Sequence, residues 1–202
     1  MDLFEGLNDP DENLLPRDGV VQYFGRVIPY GAADRYLACL RDTIAWENDA
    51  LVMGGKRVVT KRKVAWYGAA AFEYGYSRTT KVALPWSDML LDIKAIVEDV
   101  TDARFNSCLL NLYHNGSEGM GWHSDNEREL KRDGAIASLS FGAERRFLFK
   151  HKESGEVVER VLQHGGLLVM KGATQRHWQH RLPPVTGVGA ARINLTFRMF
   201  GD

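Results

Sequence analysis

His123 and Asp125 stand two residues apart in Trp122-His123-Ser124-Asp125-Asn126-Glu127, and a later histidine, His180, sits in Trp178-Gln179-His180-Arg181. On an extended backbone, residues two apart project from the same side, so the first pair can offer an imidazole and a carboxylate to one metal ion. A second imidazole completes a face of two histidines and one carboxylate. That set leaves coordination positions open and suits Fe(II) for the activation of dioxygen. His177 competes with His180 for the third place, but it lies nearer the Lys171-Gly172-Ala173-Thr174 turn, which favours His180. An H-x-D pair arises often by chance, so its meaning depends on its company. His114, His151 and His164 fall near turns and are expected to be exposed or locally hydrogen-bonded.

The company is the segment Ala191-Arg192-Ile193-Asn194-Leu195-Thr196-Phe197-Arg198-Met199-Phe200. Strict alternation puts Ile193, Leu195, Phe197 and Met199 on one strand face and Arg192, Asn194, Thr196 and Arg198 on the other. A solvated face would mix charges of both signs. This one pairs two arginines with an amide and a hydroxyl and has no carboxylate, which makes it a row of donors suited to an anion. Fe(II) needs a reductant to activate O2, and 2-oxoglutarate supplies two electrons by oxidative decarboxylation. Its 1-carboxylate and keto oxygen would take two open metal positions, leaving one for O2. Its distal carboxylate needs a buried cation, and Arg192 can clamp it bidentately as a lysine cannot. Arg198, further along the same face, can neutralise the carboxylate nearest the metal.

These groups need a rigid frame, and the second half of the chain reads as one. After Asp102 come short strand-like runs at 105–113, 135–141, 146–150, 157–162, 167–171, 178–182 and 192–200, separated by Gly-containing turns with no helical period between them. Roughly eight strands at such spacing close naturally as a double-sheet jelly roll. Earlier, residues 1–18 read as a flexible tail and Gly19 to Ile28 as a strand. Two amphipathic helices follow. One runs from about Ala33 to Trp46 over Tyr36, Leu37, Leu40 and Ile44; the other starts near Pro85 over Met89, Ile93, Ile96, Val97 and Val100. Between them lies a basic, Gly-rich and aromatic segment, 52–80.

The 202 residues suffice for one core and contain no linker-like stretch, so a single domain is expected. The 26 basic and 26 acidic residues cancel, which removes any global field favouring nucleic acid or a membrane. Locally the charge is uneven, because Lys56, Arg57, Lys61, Arg62 and Lys63 cluster. Cys39 and Cys108 lie apart among apolar neighbours without metal spacing and read as reduced core residues. The acidic start lacks a signal-like pattern and no apolar run reaches the roughly 18 residues of a membrane span. The expectation is a soluble cytoplasmic protein, nuclear in a eukaryote, with no secretion signal, no membrane partner and a monomeric state.

Taken together, Asn111-Leu112-Tyr113, W-H-S-D-N-E at 122–127, I-A-S-L-S-F-G at 136–142, W-Q-H-R-L-P at 178–183 and R-I-N-L-T-F-R at 192–198 resemble the AlkB-type Fe(II)/2-oxoglutarate-dependent dioxygenases. That family repairs alkylated nucleic-acid bases, and the resemblance is strongest to its duplex-DNA-acting members. It spans about residues 50 to 200. It implies an α+β fold: a double-stranded β-helix (jelly-roll) core over 103–202, flanking N-terminal helices, and a nucleotide-recognition lid over 50–80. It implies Fe(II) ligation by His123, Asp125 and His180, and 2-oxoglutarate binding by Asn111, Tyr113, Arg192, Asn194 and Arg198, with Thr196 assisting. On the substrate side it implies a hydrophobic finger at Val52, Met53 and Gly54, with Arg62 and its basic neighbours facing phosphates. Tyr74 and Tyr76 would meet a flipped base that stacks against His123, and Asn126 and Glu127 would lie beside it.

The implied reaction is O2-dependent demethylation of 1-methyladenine and 3-methylcytosine in DNA, releasing formaldehyde while 2-oxoglutarate becomes succinate and CO2. The implied partner is alkylated DNA, as duplex, with single-stranded DNA and RNA as the other forms. The alternatives are the same core acting on RNA or protein, and a damage-binding module without catalysis. One departure stands out. Asn126 occupies a position where the family usually carries a second aspartate, which bears on lesion preference and leaves the iron chemistry untouched.

Overall fold

The strand at 192–198 is buried along its whole length on both faces, and the architecture follows from the need to cover each of them. The computed structural model describes residues 9–53, 56–76 and 79–201; within these, the stretches 50–53, 56–58, 73–76 and 79–81 are described by backbone alone. The elements in order are β1 (Val20–Arg26), α1 (Tyr30–Thr43), β2 (Glu47–Met53), β3 (Lys56–Gly68), β4 (Glu73–Tyr76), β5 (Thr79–Val82), β6 (Leu84–Pro85) and α2 (Asp88–Thr101). They continue with β7 (Ser107–Tyr113), β8 (Met120–His123), β9 (Ile136–Gly142), β10 (Arg145–His151), β11 (Val157–Leu162), β12 (Gly166–Lys171), α3 (Thr174–His177), β13 (Trp178–Leu182) and β14 (Arg192–Arg198).

The large sheet runs β1-β12-β9-β14-β7-β3-β2, with β6 beside β3, and the small sheet runs β11-β10-β13-β8. Strands β7 to β14 therefore divide equally between two facing antiparallel sheets, which is the expected jelly roll. The apolar face of β14 (Ile193, Leu195, Phe197) packs with Leu110 and Leu139 of its neighbours beneath α1 and α2. The opposite face of the large sheet looks toward the small sheet, where Phe147, Phe149, Trp178 and Leu182 close a second cluster. Each such aliphatic or aromatic side chain contributes roughly 1.5–3 kcal/mol on burial.

Helix α2 begins where Ser87 Oγ accepts the Leu90 N–H at 3.4 Å and ends at Asp102, whose φ of 49° is left-handed. It buries Leu90, Ile93 and Val97, the stripe of a helix with one covered face. Leu90 is fully buried although periodicity did not single it out; Met89, Ile96 and Val100 are half-covered. Helix α1 starts three residues earlier than expected, directly after Pro29, and stops at Thr43. Its Leu40 faces the sheet, and the adjoining Cys39 turns to solvent, so the expectation of two core cysteines holds only for Cys108.

The structure bears on two other expectations. Residues 9–18 are mostly exposed but anchored: Leu15 is buried, the Leu14 N–H reaches Val21 O at 2.8 Å, and the Asn13 side chain accepts the Val21 N–H at 2.9 Å. Residues 1–8 lie outside the described residues. The segment expected as a lid contributes β3, which pairs with β7 inside the large sheet from Lys63↔Leu112 to Gly68↔Ser107.

The end of β9 fixes the start of β14. Gly142 lies opposite Arg192, and its N–H donates to His164 Nδ1 at 2.8 Å; that histidine is buried and bonded across the fold, not exposed or locally bonded as expected. Its φ is +87°, and an added Cβ would stand 2.2 Å from Ala191 O. Gly142→Ala therefore combines a left-handed backbone with a clash against main chain. We expect it to lower stability by about 3 kcal/mol, read by chemical denaturation, and to loosen 2-oxoglutarate binding through displacement of Arg192.

Candidate active site

Register brings the metal-type residues together. His180 of β13 is paired directly with His123 of β8, so both imidazoles project into the space between the sheets, with ring centroids 4.3 Å apart. Just beyond β8 the Asp125 N–H is held by Gln175 Oε1 at 2.9 Å, which aims the carboxylate at the same point. His123 Nε2 and His180 Nε2 each lie 3.8 Å from Asp125 Oδ1. Their ligand atoms fall within 4.8 Å of one another, a cluster able to hold one metal ion. His123 Nδ1 meets Gly121 O at 2.8 Å, so that nitrogen carries the proton and Nε2 is left with its lone pair toward the cluster. His177, the competing candidate, is in α3 and stacks on His151 at 6.3 Å.

The protonation states suit ligation. Burial pushes His180 down to about 3, outweighing the attraction of Asp125, so it is neutral at physiological pH and loses no proton on binding a metal. Burial would raise Asp125, yet the Arg198 guanidinium, with His180 and His123, holds the carboxyl below its ordinary range. The Arg198 Nη2 donates to Asp125 Oδ2 at 2.6 Å, leaving Oδ1 turned toward the two imidazoles. Arg198 stays charged because Asp125 and Glu127 more than offset its burial. Glu127 is 3.8 Å from that guanidinium, and burial lifts its carboxyl above the usual value.

On the same face of β14 lies the donor row read from alternation. Arg192 is opposite Tyr113 on one side and Gly142 on the other, and Asn194 is opposite Asn111 and Ser140. Arg192 donates to Ser140 Oγ at 2.9 Å, and its Cζ stands 5.5 Å from the Tyr113 ring. Asn194 donates to Ser138 Oγ at 2.9 Å and to Leu139 O, while Thr196 Oγ1 donates to Asn194 Oδ1 at 3.2 Å. Ser138 and Ser140 are functional neighbours that sequence reasoning missed, although their alternation in I-A-S-L-S-F-G was the available signal.

Arg192 is only 2% exposed, and among the described residues no carboxylate contacts it. Burial drags its guanidinium down to about 10. A buried cation without a counter-charge costs several kcal/mol. Arg192 Nε and Asn111 Oδ1 are also buried without a hydrogen-bond partner among the described residues. The orphaned Arg192 donor fits a bound dicarboxylate, and the His–Asp–His face fits a divalent iron.

Both sets open on one cavity of about 460 Å³, within the usual range for small-ligand sites. Its further wall is built by β3, where Arg62, Val64 and Trp66 alternate inward while Ala65 and Tyr67 join the helix-side core. Arg62 does not stand in a solvent-facing basic row as expected. It is 5% exposed, ion-paired with buried Asp49, and its Nη1 lies 3.0 Å from Met120 Sδ. The pairing of β2 with β3 explains this, because it turns Arg62 inward to a carboxylate that the sequence did not mark as a partner. Asp49→Ala strands that guanidinium and is expected to destabilise the fold by about 3 kcal/mol, with Asp49→Asn losing less, in equilibrium unfolding.

Glu127 and Asn126 also line the cavity. Val52 and Met53 end the β2–β3 pairing at Val52↔Arg57 and Met53↔Lys56, and Tyr74 and Tyr76 lie in the β4–β5 ribbon. The side chains of Val52, Met53, Tyr74 and Tyr76, and the whole of Gly54, lie outside the described residues, so the finger and the base-contacting tyrosines rest on the sequence alone.

The sequence model of the 2OG-Fe(II) oxygenase superfamily matches residues 21–198. The chain is 37% identical to the mouse (Mus musculus) protein named DNA oxidative demethylase ALKBH2, over 95% of this chain and 85% of that one. It is 38% identical to human (Homo sapiens) alpha-ketoglutarate-dependent dioxygenase alkB homolog 3, over 94% and 73% respectively. Among solved structures it is similar to the one titled "The structure of OsALKBH1", with a TM-score of 0.62 at 16% identity, covering 92% of this chain and 99% of that one, a likeness of fold.

Proposed function

The chain belongs to the AlkB-type branch of the 2OG-Fe(II) oxygenase superfamily, and on that premise we propose that it removes methyl groups from the ring nitrogens of 1-methyladenine and 3-methylcytosine in DNA. The observation that carries the oxygenase chemistry is one cavity holding both a His–Asp–His face and an uncompensated buried arginine. The substrate class is supported by relatives such as the one named DNA oxidative demethylase, similar along nearly the whole chain.

Bound Fe(II), with 2-oxoglutarate and O2, supplies the oxidising power to replace a C–H of the methyl group by C–OH, while 2-oxoglutarate leaves as succinate and CO2. The chain's own residues do the rest. His123, Asp125 and His180 would hold the iron, and Arg198 keeps the Asp125 carboxylate ionised and turned the right way. Arg192 would grip the distal carboxylate of 2-oxoglutarate, with Asn111, Tyr113 and Asn194 lining its slot and Thr196 fixing the Asn194 amide. Trp66, Phe147 and Phe200 give the cavity apolar walls that exclude water from the reacting methyl. A flipped base presents its Watson–Crick edge, where both methyl groups sit, and a lesion that has lost its pairing is the least costly to extrude. The hydroxymethyl product is a hemiaminal; its C–N bond breaks to give formaldehyde and the restored base.

The test is mass spectrometry of oligonucleotides carrying one 1-methyladenine, as single-stranded DNA, duplex DNA and RNA, after incubation with Fe(II)-loaded protein and 2-oxoglutarate. Loss of the methyl mass matched by succinate establishes the demethylase. Succinate without demethylation rejects the base as substrate, and neither product from iron-loaded protein rejects the oxygenase reading in favour of a binding module.

A further inference from the structure

We infer that the outer face of the small sheet, where Trp122 gathers Lys150 and Arg181, binds the phosphodiester backbone of the nucleic-acid strand running on from the base in the cavity. The inference rests on the function proposed above and adds a surface that the cavity does not include. Trp122 and Arg181 adjoin His123 and His180 in sequence, so strand alternation turns them away from the two imidazoles, onto the back of the strands that carry the metal face. On that back face Arg181 lies opposite Leu148, and Lys150 lies opposite Gln179. Lys150 Nζ stands 4.8 Å and Arg181 Cζ 4.7 Å from the Trp122 ring centroid, each within cation–π range. All three side chains are partly exposed.

Two cations against one ring repel each other, and among the described residues neither has a carboxylate partner. Arg181 Nε is also buried without a hydrogen-bond partner among the described residues. The neighbouring Arg146 shows the ordinary solution on the same face, an ion pair with Glu159. The indole holds the long side chains of Lys150 and Arg181 in place, which lowers the entropy lost when they bind. Fixed, uncompensated charges of this kind match a chain of phosphates, which offers one anion per nucleotide. The path is short. Strand β8 is the edge of the small sheet, and it carries His123 at the cavity mouth with its side chain 36% exposed, so a strand leaving over that edge meets Trp122 next.

The test is fluorescence anisotropy of the anaerobic Fe(II)/2-oxoglutarate-loaded protein with a single-stranded DNA 12-mer carrying one 1-methyladenine, titrated over a range of salt. The variant Lys150→Ala/Arg181→Ala is expected to bind about tenfold more weakly near 0.1 M salt and to flatten the plot of log K against log salt by roughly 1.4, about 0.7 for each lost phosphate contact. Each single variant should remove about half of that slope change, and Lys150→Arg/Arg181→Lys should keep the wild-type slope. Arg35→Ala, on the exposed side of α1 beyond the large sheet, is the control and should change neither. Wild-type affinity and slope in the double variant would overturn the inference while leaving the demethylase reading intact. Failure of wild-type protein to bind or demethylate any oligonucleotide would overturn both.

Discussion

Arg192→Ala is expected to raise the 2-oxoglutarate concentration for half-maximal succinate formation about a hundredfold, equivalent to roughly 2.7 kcal/mol, with kcat at saturation changed far less. The size follows from removing a charge-assisted contact in a site that excludes water, where truncating one partner costs roughly 2–5 kcal/mol. The split between KM and kcat follows from geometry. The distal carboxylate undergoes no bond change in the reaction, so its contact is equally strong in the ground and transition states, and losing it weakens binding without slowing the bound complex. Arg192→Lys should recover only part of the loss, since a point charge cannot bond both carboxylate oxygens as the guanidinium fork can. The stability readout runs the opposite way. Arg192 is buried at 2% exposure beside Ser140 Oγ with no carboxylate among the described residues, so the ligand-free Arg192→Ala protein should be at least as stable as wild type. The thermal shift that 2-oxoglutarate gives the wild-type protein should shrink in proportion to the lost affinity. Unchanged half-saturation in this variant would remove Arg192 from the cosubstrate site.

The same residue shows why so much of the site was legible from sequence. Strand β14 has a period of two and both of its faces are buried, so each side-chain type reports its own environment: Ile193, Leu195 and Phe197 under the helices, Arg192, Asn194, Thr196 and Arg198 in the cavity. A buried polar face is rare enough that its residue types nearly state its ligand. Of the strands from β7 onward all but β8 were readable for a related reason, since glycines mark their turns; the short β8 and the one-turn helix α3 between β12 and β13 were not. Strand β3 defeated the same reading. Its charges suggest a solvated loop, yet Arg62 turns inward to Asp49, a partner 13 residues away that only the β2–β3 pairing brings near. Trp66 was hidden likewise. Its Nε1 donates to Ser107 Oγ at 2.8 Å across the β3–β7 pairing, and that pairing is what places the indole in the cavity wall. Cys39 misled for a simpler reason: in a helix, the residue beside Leu40 points about 100° away from it, so apolar neighbours in sequence need not be neighbours in space.

His180→Ala is expected to abolish iron retention and to lower succinate formation by at least about a thousandfold, whereas His177→Ala, three residues earlier, should retain both. The pair separates ligation from local packing, because both histidines flank the short α3–β13 junction and only one of them faces Asp125. Three protein ligands fix an open-faced metal site; with two, the ion is held by one imidazole and one carboxylate, and that carboxylate is already engaged by Arg198 at 2.6 Å. The effect should be read first as metal content after desalting and only then as turnover, so that a lost ligand is distinguished from a displaced substrate. Folding supplies the second control. His180 lies among Phe147 and Phe149, with ring centroids 5.4 and 6.2 Å away, so truncation leaves a cavity and should cost roughly 2–4 kcal/mol. His180→Gln keeps more of that volume and a hydrogen-bonding tip while removing the imidazole, so it should fold more stably than the alanine variant and still fail to hold iron. If His180→Gln kept full iron occupancy and His177→Ala lost it, the third ligand would belong to α3, and the register pairing of His123 with His180 would be packing rather than coordination.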